Sequence, residues 1–87
     1  MLKGTTSTGF AYEVEEDVLD DYELLEILHE ADKGSAGAMI EVAEQVLGKE
    51  QKEALKNHIR NEKGKVSAIR MIEEVMEILK SGDKGKN

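Results

Sequence analysis

The chain of 87 residues contains no cysteine, no proline and no tryptophan. Without cysteine it can form neither disulfides nor thiolate metal sites, and nothing in it points to an oxidising compartment. Phe10, Tyr12 and Tyr22 are its three aromatic residues. The core must therefore be built mainly from Leu, Ile, Val, Met and Ala side chains.

Long hydrophobic runs are also missing. No apolar stretch approaches the ~20 residues that a membrane-spanning helix needs. The N-terminal segment MLKGTTSTG lacks the apolar region of a signal peptide. We therefore expect a soluble protein of the cytoplasm that has no membrane partner.

Basic residues are absent from the first third of the chain beyond Lys3. Residues 4–32 contain ten acidic residues and no lysine or arginine, whereas residues 33–87 contain nine acidic and eleven basic residues. With Lys3, these counts give the net charge of −7. An acidic end repels phosphate, so nucleic acid is not expected to be the main ligand.

A short alternating pattern opens the folded part of the chain. Phe10, Tyr12 and Val14 alternate with Ala11 and Glu13, which predicts a strand. Residues 2–3 could form a partner strand across the Thr/Ser/Gly-rich turn, giving a hairpin. The alternative is an extended arm without a partner strand.

The first predicted helix spans about residues 20–33. Asp20 and Glu23 have the spacing of a capping box, and Leu19 and Leu24 have that of a hydrophobic staple. The predicted apolar face consists of Leu24, Leu25, Leu28 and Ala31.

Three further helices are predicted over residues 35–48, 49–63 and 67–80. Gly48 ends the second helix, and Ser67 is the expected N-cap of the fourth. The third helix has only a narrow apolar stripe. The expected core face of the second helix is Ala36, Met39, Ile40, Ala43, Val46 and Leu47. That of the fourth is Ala68, Ile69, Ile72, Val75, Met76 and Leu79.

These elements predict a mainly α protein, a compact bundle of about four helices preceded by a short N-terminal β-hairpin or strand. We expect one domain over residues 1–87, with the strand or hairpin in 1–15 and the bundle in 20–80. Residues 81–87, SGDKGKN, are expected to form a flexible polar tail. Because the connections are short, consecutive helices should pack closely.

The candidates for catalysis or metal binding are weak. Glu26 and His29 form one Glu-x-x-His pair, but a di-iron bundle needs two, and Leu55 occupies the matching position before His58. The acidic segment lacks the central glycine of a calcium loop. Residues 34–37 match a GxxG loop without its basic setting. We expect no catalytic, cofactor-binding or metal-binding residues.

Two charged ridges have helical spacing. The basic ridge consists of Lys49, Lys52, Lys56, Arg60 and Lys63, and the acidic ridge of Glu23, Glu26 and Glu30. They could pair within the molecule, pair between copies, or simply face water. The basic ridge also suggests an alternative function, a small helical nucleic-acid-associated or regulatory protein. Three glutamates on the same predicted helix (Glu50, Glu53 and Glu62) weaken that alternative.

An ordered set of motifs runs from Ser7 to Leu79. It consists of STGFxYEV, EEDVLDDYELLE, a DKG turn, VLGKEQKEALKNHIRNEKGKV and EEVMEIL. In this order the motifs resemble those of the small tail assembly chaperones encoded by long-tailed bacteriophages and prophages.

The resemblance implies a mainly helical, non-enzymatic protein of the bacterial cytoplasm. Its expected partners are the tape measure protein, a long, apolar, coiled-coil-prone chain, and the tail-tube subunits recruited around it. Self-association, by pairing of the two charged ridges between copies, is an open alternative. We expect the client to contact either a groove between the second and fourth helices or the edge of the hairpin. The groove residues are Met39, Ile40, Met71, Val75 and Met76, and the hairpin residues are Phe10 and Tyr12. The alternative for each of these residues is an ordinary place in the core.

Overall fold

The N-terminal residues form an antiparallel hairpin in the computed structural model of the protein, which describes residues 1–84. Strand β1 spans Leu2–Thr5 and strand β2 spans Ala11–Val14. Gly9, with a φ of 94°, lets the turn close through a bond from its N–H to the carbonyl of Thr6. The predicted hairpin is confirmed, and its first strand extends beyond the two residues expected.

A short helix that the sequence did not predict follows the hairpin. Helix α1 spans Glu16–Leu19, and its acidic first turn suits the positive helix N-terminus. Helix α2 spans Tyr22–Asp32, and the Asp21 carboxylate caps it by accepting the N–H of Glu23 at 2.9 Å. The predicted capping box on Asp20 is therefore wrong, because Asp20 ends α1 instead.

The second and third predicted helices form one kinked element, helix α3, which spans Ala36–Ile59. Ser35 caps it by accepting the N–H of Ala38. Gly48 has φ 78° and ψ 167° and breaks the helical direction at the residue predicted to separate the two helices. The helix ends four residues earlier than predicted, because Asn61 binds the N–H groups of Lys63 and Lys65 in a turn.

Helix α4 spans Ala68–Lys84. The Ser67 hydroxyl accepts the N–H of Arg70, so the predicted N-cap is confirmed. The helix continues past the predicted end at residue 80 and takes in the first residues of the expected tail. The rest of that tail, residues 85–87, lies outside the described residues.

One core joins the hairpin to the helices, with α3 in the centre. Helices α2 and α4 and strand β2 all pack on α3. The core consists of Phe10, Tyr12, Val14, Leu24, Ala31, Val42, Ala43, Val46, Leu47, Leu55, Val75 and Ile78. Residues 1–84 thus form a mainly α fold, with four helices behind a two-stranded hairpin, as predicted. No helix in residues 1–84 is long and apolar enough to cross a bilayer.

The buried faces of the helices are rotated from the predicted ones. Val42 and Ile78 are buried, although neither was assigned to the core. Several residues predicted to be buried are exposed instead: Leu25, Ala36, Ile40, Ala68, Ile69, Ile72 and Met76. Apolar residues lie on more than one side of these helices, so spacing alone did not select the correct side.

Candidate partner-binding surface

An apolar stripe on α4 faces solvent. It consists of Ile69, Ile72 and Met76, and we call it the α4 stripe; their exposures are 71%, 39% and 41%. Steps of three and four residues place these side chains on one side of the helix. A neighbouring face of the helix packs on the core, through Val75 and Ile78. Helix α4 is therefore apolar both towards the core and towards solvent.

The helical spacing placed the three residues of the α4 stripe in the predicted core and did not identify them as a surface. The sequence nevertheless indicates that α4 has two apolar faces. Residues 69, 72 and 76 follow one helical face, whereas 71, 75 and 78 follow another. A helix that is apolar all round belongs to a buried core or has a second partner.

A second exposed apolar pair lies on α2. Tyr22 is 73% exposed and Leu25 is 59% exposed. Together with Glu26, His29 and Glu30 they line a shallow depression along one face of the helix. This face is acidic, so it suits a partner that combines apolar and basic side chains.

The side chains predicted to bind the client do not form one accessible surface. Phe10, Tyr12 and Val75 are buried in the core, and Met39 and Met71 are half-buried against it. The remaining two, Ile40 and Met76, are exposed, and only Met76 belongs to the α4 stripe. In this conformation, a partner can reach the exposed pair without disturbing the core.

Hydrogen bonds from the hairpin turn determine which face of α4 is buried. Glu74 is only 4% exposed, and its carboxylate accepts the hydroxyls of Thr6 at 2.7 Å and Thr8 at 2.9 Å. One turn further on, Glu77 accepts both the N–H and the hydroxyl of Ser7. We call these contacts the hairpin clamp. Because of the hairpin clamp, Glu74 and Glu77 of α4 face the hairpin and the α4 stripe faces solvent.

His58 completes the hairpin clamp from α3. Its Nε2 lies 3.1 Å from the Thr8 hydroxyl oxygen. Because the Thr8 proton is donated to Glu74, the imidazole Nε2–H is the donor in this contact. The imidazole ring also contacts Phe10, with 5.6 Å between the ring centroids. The carboxylate bonds the hydroxyl and not the imidazole, unlike the arrangement in a catalytic triad.

The hairpin is also anchored further along α4. The Tyr12 hydroxyl lies 2.5 Å from the Ser81 hydroxyl. Ser81 donates to the carbonyl of Ile78, so Tyr12 is the donor to Ser81. The Tyr12 ring crosses Gly4, where a β-carbon would lie 2.5 Å from the Tyr12 hydroxyl oxygen. Gly4 therefore gives the Tyr12 ring the room to reach α4.

The two charged ridges do not pair with each other within residues 1–84. Lys52 binds Glu44 at 2.9 Å, Lys56 binds Glu53 at 3.1 Å and Lys33 binds Glu30 at 3.2 Å. On the acidic ridge, Glu23 and Glu26 are exposed to solvent, as Glu30 is. On the basic ridge, Lys49, Arg60 and Lys63 are exposed, and Arg60 donates to the carbonyl of Gly64.

Lys52 changes the electrostatics of its partner across the kink. A hydrogen bond and the charge of its ammonium group lower the pKa of the Glu44 carboxyl below its ordinary value. Eight residues separate the pair, whereas side chains meet along a straight helix at spacings of three or four. The kink at Gly48 brings the two groups together. Pairing with glutamates also reduces the positive charge that the basic ridge could offer to a phosphate backbone.

Comparison of the chain with protein-family models, with curated proteins and with solved structures finds no match. Membership of the tail assembly chaperones therefore stays a prediction from the sequence motifs.

Proposed function

We propose that the protein is a tail assembly chaperone of a long-tailed bacteriophage or prophage, acting without catalysis in the cytoplasm of the bacterial host. In this proposal it holds an apolar helical segment of the tape measure protein against the α4 stripe and helps to recruit tail-tube subunits. The family part of the proposal rests on the ordered motifs between Ser7 and Leu79. The observation that carries the binding part is the solvent-facing apolar stripe on α4.

The spacing of the α4 stripe suits a helical client. Amphipathic helices bind through anchors at steps of three and four residues, the steps that separate Ile69, Ile72 and Met76. A coiled-coil-prone client repeats the same spacing over many turns. One face of such a client can therefore lie along α4 without any change in the rest of the fold.

The energetics of the α4 stripe also favour binding. Fully burying an Ile or Met side chain contributes about 1.5–3 kcal/mol. Ile69 is 71% exposed, so most of this free energy is still available at that position, whereas Ile72 and Met76, at 39% and 41%, retain a smaller part of it. The core keeps its own apolar residues, since Val75 and Ile78 are buried in it.

The charge of the molecule suits a chaperone that must keep an apolar chain in solution. The net charge is −7, and charge away from zero opposes association between complexes. The acidic segment from Glu13 to Asp32 supplies most of this charge on elements other than α4. Binding along the α4 stripe therefore leaves the acidic segment in water.

Genomic neighbourhood and co-expression test the proposal. We expect a tail-tube gene upstream and a gene for a very long coiled-coil protein downstream. The downstream protein, expressed alone, should aggregate, and with this chain it should remain soluble and co-purify. A setting away from phage genes, or a tape measure protein whose solubility the chain does not change, would contradict the proposed function.

A further inference from the structure

The outer edge of β2 is closed at Glu13 by one side chain. The Glu13 N–H donates to Gln51 Oε1, and Gln51 Nε2 donates to the Glu13 carbonyl, each at 2.7 Å. Gln51 Nε2 is held in place by a second bond to the carbonyl of Leu47 at 2.8 Å. The amide of Gln51 thus makes the pair of bonds that a neighbouring strand would make.

The contact between Glu13 and Gln51 also indicates in which direction the main-chain N–H and C=O groups of β1 point. In an antiparallel ladder, residues alternate between pairs that exchange hydrogen bonds and pairs whose main-chain groups point outward. Glu13 points towards Gln51, so Lys3, its register partner, must direct its own N–H and C=O away from β2. Thr5 lies two residues further along β1 and points the same way.

The turn gives an independent check of this orientation. The Thr6 N–H donates to the carbonyl of Phe10 at 2.9 Å, so these two residues form a bonded pair. The next pair, Thr5 and Ala11, must then be an outward-pointing pair. The hydrogen bonds at both ends of the hairpin therefore give the same orientation for the main-chain groups of β1.

The outer edge of β1 is open. Lys3 and Thr5 are exposed, and their main-chain groups make no hydrogen bond within residues 1–84. Strand β2 is the only element in that range that packs extensively on β1. The structure therefore has one strand edge that Gln51 closes at Glu13 and one that is open along Lys3 and Thr5. An open edge is a template for another strand.

We propose that the open edge binds the same edge of a second copy of this chain, β1 against β1 in antiparallel orientation. Lys3 of each copy faces Thr5 of the other, and Gly4 faces Gly4. Each Lys3–Thr5 pair exchanges two hydrogen bonds. By the two-fold symmetry there are two such pairs, and together they satisfy all the outward-pointing groups of Lys3 and Thr5.

Charge favours a second copy at this edge. Lys3 is the only charged side chain in residues 1–12, and it is paired with Glu13 at 3.4 Å. Because Lys3 neutralises Glu13, two chains of net charge −7 can approach here without an unpaired acidic side chain on either strand. The N-terminal amine lies 3.5 Å from Glu16, so acidic α1 marks one end of β1. Antiparallel pairing places the two α1 helices at opposite ends, a strand length of about 13 Å apart, beyond the ~8 Å screening length of physiological salt.

The closed β2 edge limits the assembly to two copies. After β1 has paired with β1, the outer edges of the four-stranded sheet are both β2, and Gln51 occupies each of them. An assembly through one self-complementary edge closes as a dimer and cannot continue as a fibre. Because the paired strands have four residues each, the contact is smaller than a standard interface, and we expect a weak dimer that forms only at high protein concentration.

Amide hydrogen exchange in the wild-type protein, followed by NMR over a range of concentrations, tests this directly. The amides of Lys3 and Thr5 should exchange freely in dilute solution. They should become protected over the concentration range in which sedimentation velocity detects the dimer. The Glu13 amide, bound to Gln51, should not depend on concentration. Freely exchanging Lys3 and Thr5 amides in a dimer, or a monomer at all concentrations, would overturn the proposal. Protection of the Lys3 and Thr5 amides that appeared only after a different protein was added would also overturn the proposal.

Two variants at Thr5 sharpen the test. Thr5→Pro removes an N–H that points away from β2, so it should abolish dimer formation while the hairpin keeps its internal bonds. Thr5→Val keeps the N–H and should dimerise like the wild type. Circular dichroism checks that both variants fold. If Thr5→Pro does not fold, the wild-type exchange experiment still decides. Equal dimerisation by a folded Thr5→Pro variant would refute the proposed pairing.

Discussion

At the scale of single residues, Gly48 determines the direction of α3. Its φ of 78° and ψ of 167° lie in a region of backbone conformation that is essentially restricted to glycine. A β-carbon at this position would meet no atom within 4 Å. The requirement for glycine is therefore one of backbone conformation and not of space.

We expect Gly48→Ala to lower the free energy of unfolding by about 1–3 kcal/mol, the usual cost of such backbone strain. Urea denaturation followed by circular dichroism measures the change. Gly37→Ala is the matched control, because Gly37 lies in the first turn of α3 and has an ordinary φ. Alanine should stabilise that site by at most about 0.5–1 kcal/mol, the value for a helix interior. The same sign of effect at both glycines would refute this explanation of the kink.

Single residues also show where sequence reasoning succeeds and where it fails. The break at Gly48 and the cap at Ser67 follow from local chemistry, and they are found where the sequence predicted them. The N-cap of α2 was misplaced by one residue because two consecutive aspartates offer the same chemistry. The separate turn of α1 takes Asp20 and leaves Asp21 for α2.

At the scale of elements, the hairpin clamp determines how α4 is oriented. Thr6 and Glu74 are 68 residues apart in the chain, and nothing in the helical spacing of α4 indicates that a glutamate turns inward. Glutamate is almost never fully buried unless its oxygens are bonded. The two threonine hydroxyls supply those bonds. Sequence patterns could therefore predict the existence of α4 but not its buried face.

Glu74→Ala should destabilise the fold by about 1–3 kcal/mol, because it leaves the buried Thr6 hydroxyl without its acceptor. Thermal or urea unfolding measures the loss. Glu77→Ala, one turn away, removes bonds to Ser7 that are exposed and should cost less than about 1 kcal/mol. A larger loss at Glu77 than at Glu74 would show that the buried contact is not the stronger anchor.

The ion pair across the kink should make a pH-dependent contribution. The folded-state pKa of Glu44 is lowered, first by its hydrogen bond to Lys52 and then by the Lys52 charge. The pair therefore stabilises the fold above the ordinary carboxyl pKa of about 4.3, and this contribution disappears as the pH falls through the lowered folded-state value.

Lys52→Met keeps most of the apolar stem of the side chain and removes the charge. We expect it to lower the urea midpoint slightly at neutral pH and to match the wild type near pH 3. Lys49→Met is the control, since Lys49 makes a smaller contribution to the lowered pKa of Glu44. A difference between wild type and Lys52→Met that persisted unchanged into acid would show that packing, not charge, is responsible.

At the scale of the whole molecule, the sequence correctly predicted a mainly α fold behind a hairpin. The sequence could not separate apolar residues needed for the core from apolar residues left for a partner. Both kinds follow helical spacing on α4, and only the tertiary contacts of Glu74 and Ile78 distinguish them. The proposed client-binding surface is therefore the α4 stripe, which includes Met76 but none of the buried or half-buried residues predicted to bind the client.

Calorimetric titration with a purified helical fragment of the tape measure protein tests the α4 stripe most directly. The double variant Ile69→Ser with Met76→Ser should raise the dissociation constant at least about tenfold, since 1.4 kcal/mol corresponds to a factor of ten. Ile40→Ser is the matched control, because Ile40 is equally apolar and 64% exposed but lies on α3. It should leave the dissociation constant within about twofold of the wild-type value. Wild-type affinity in the folded double variant, or a larger loss in Ile40→Ser, would contradict the assignment of the α4 stripe as the client-binding surface.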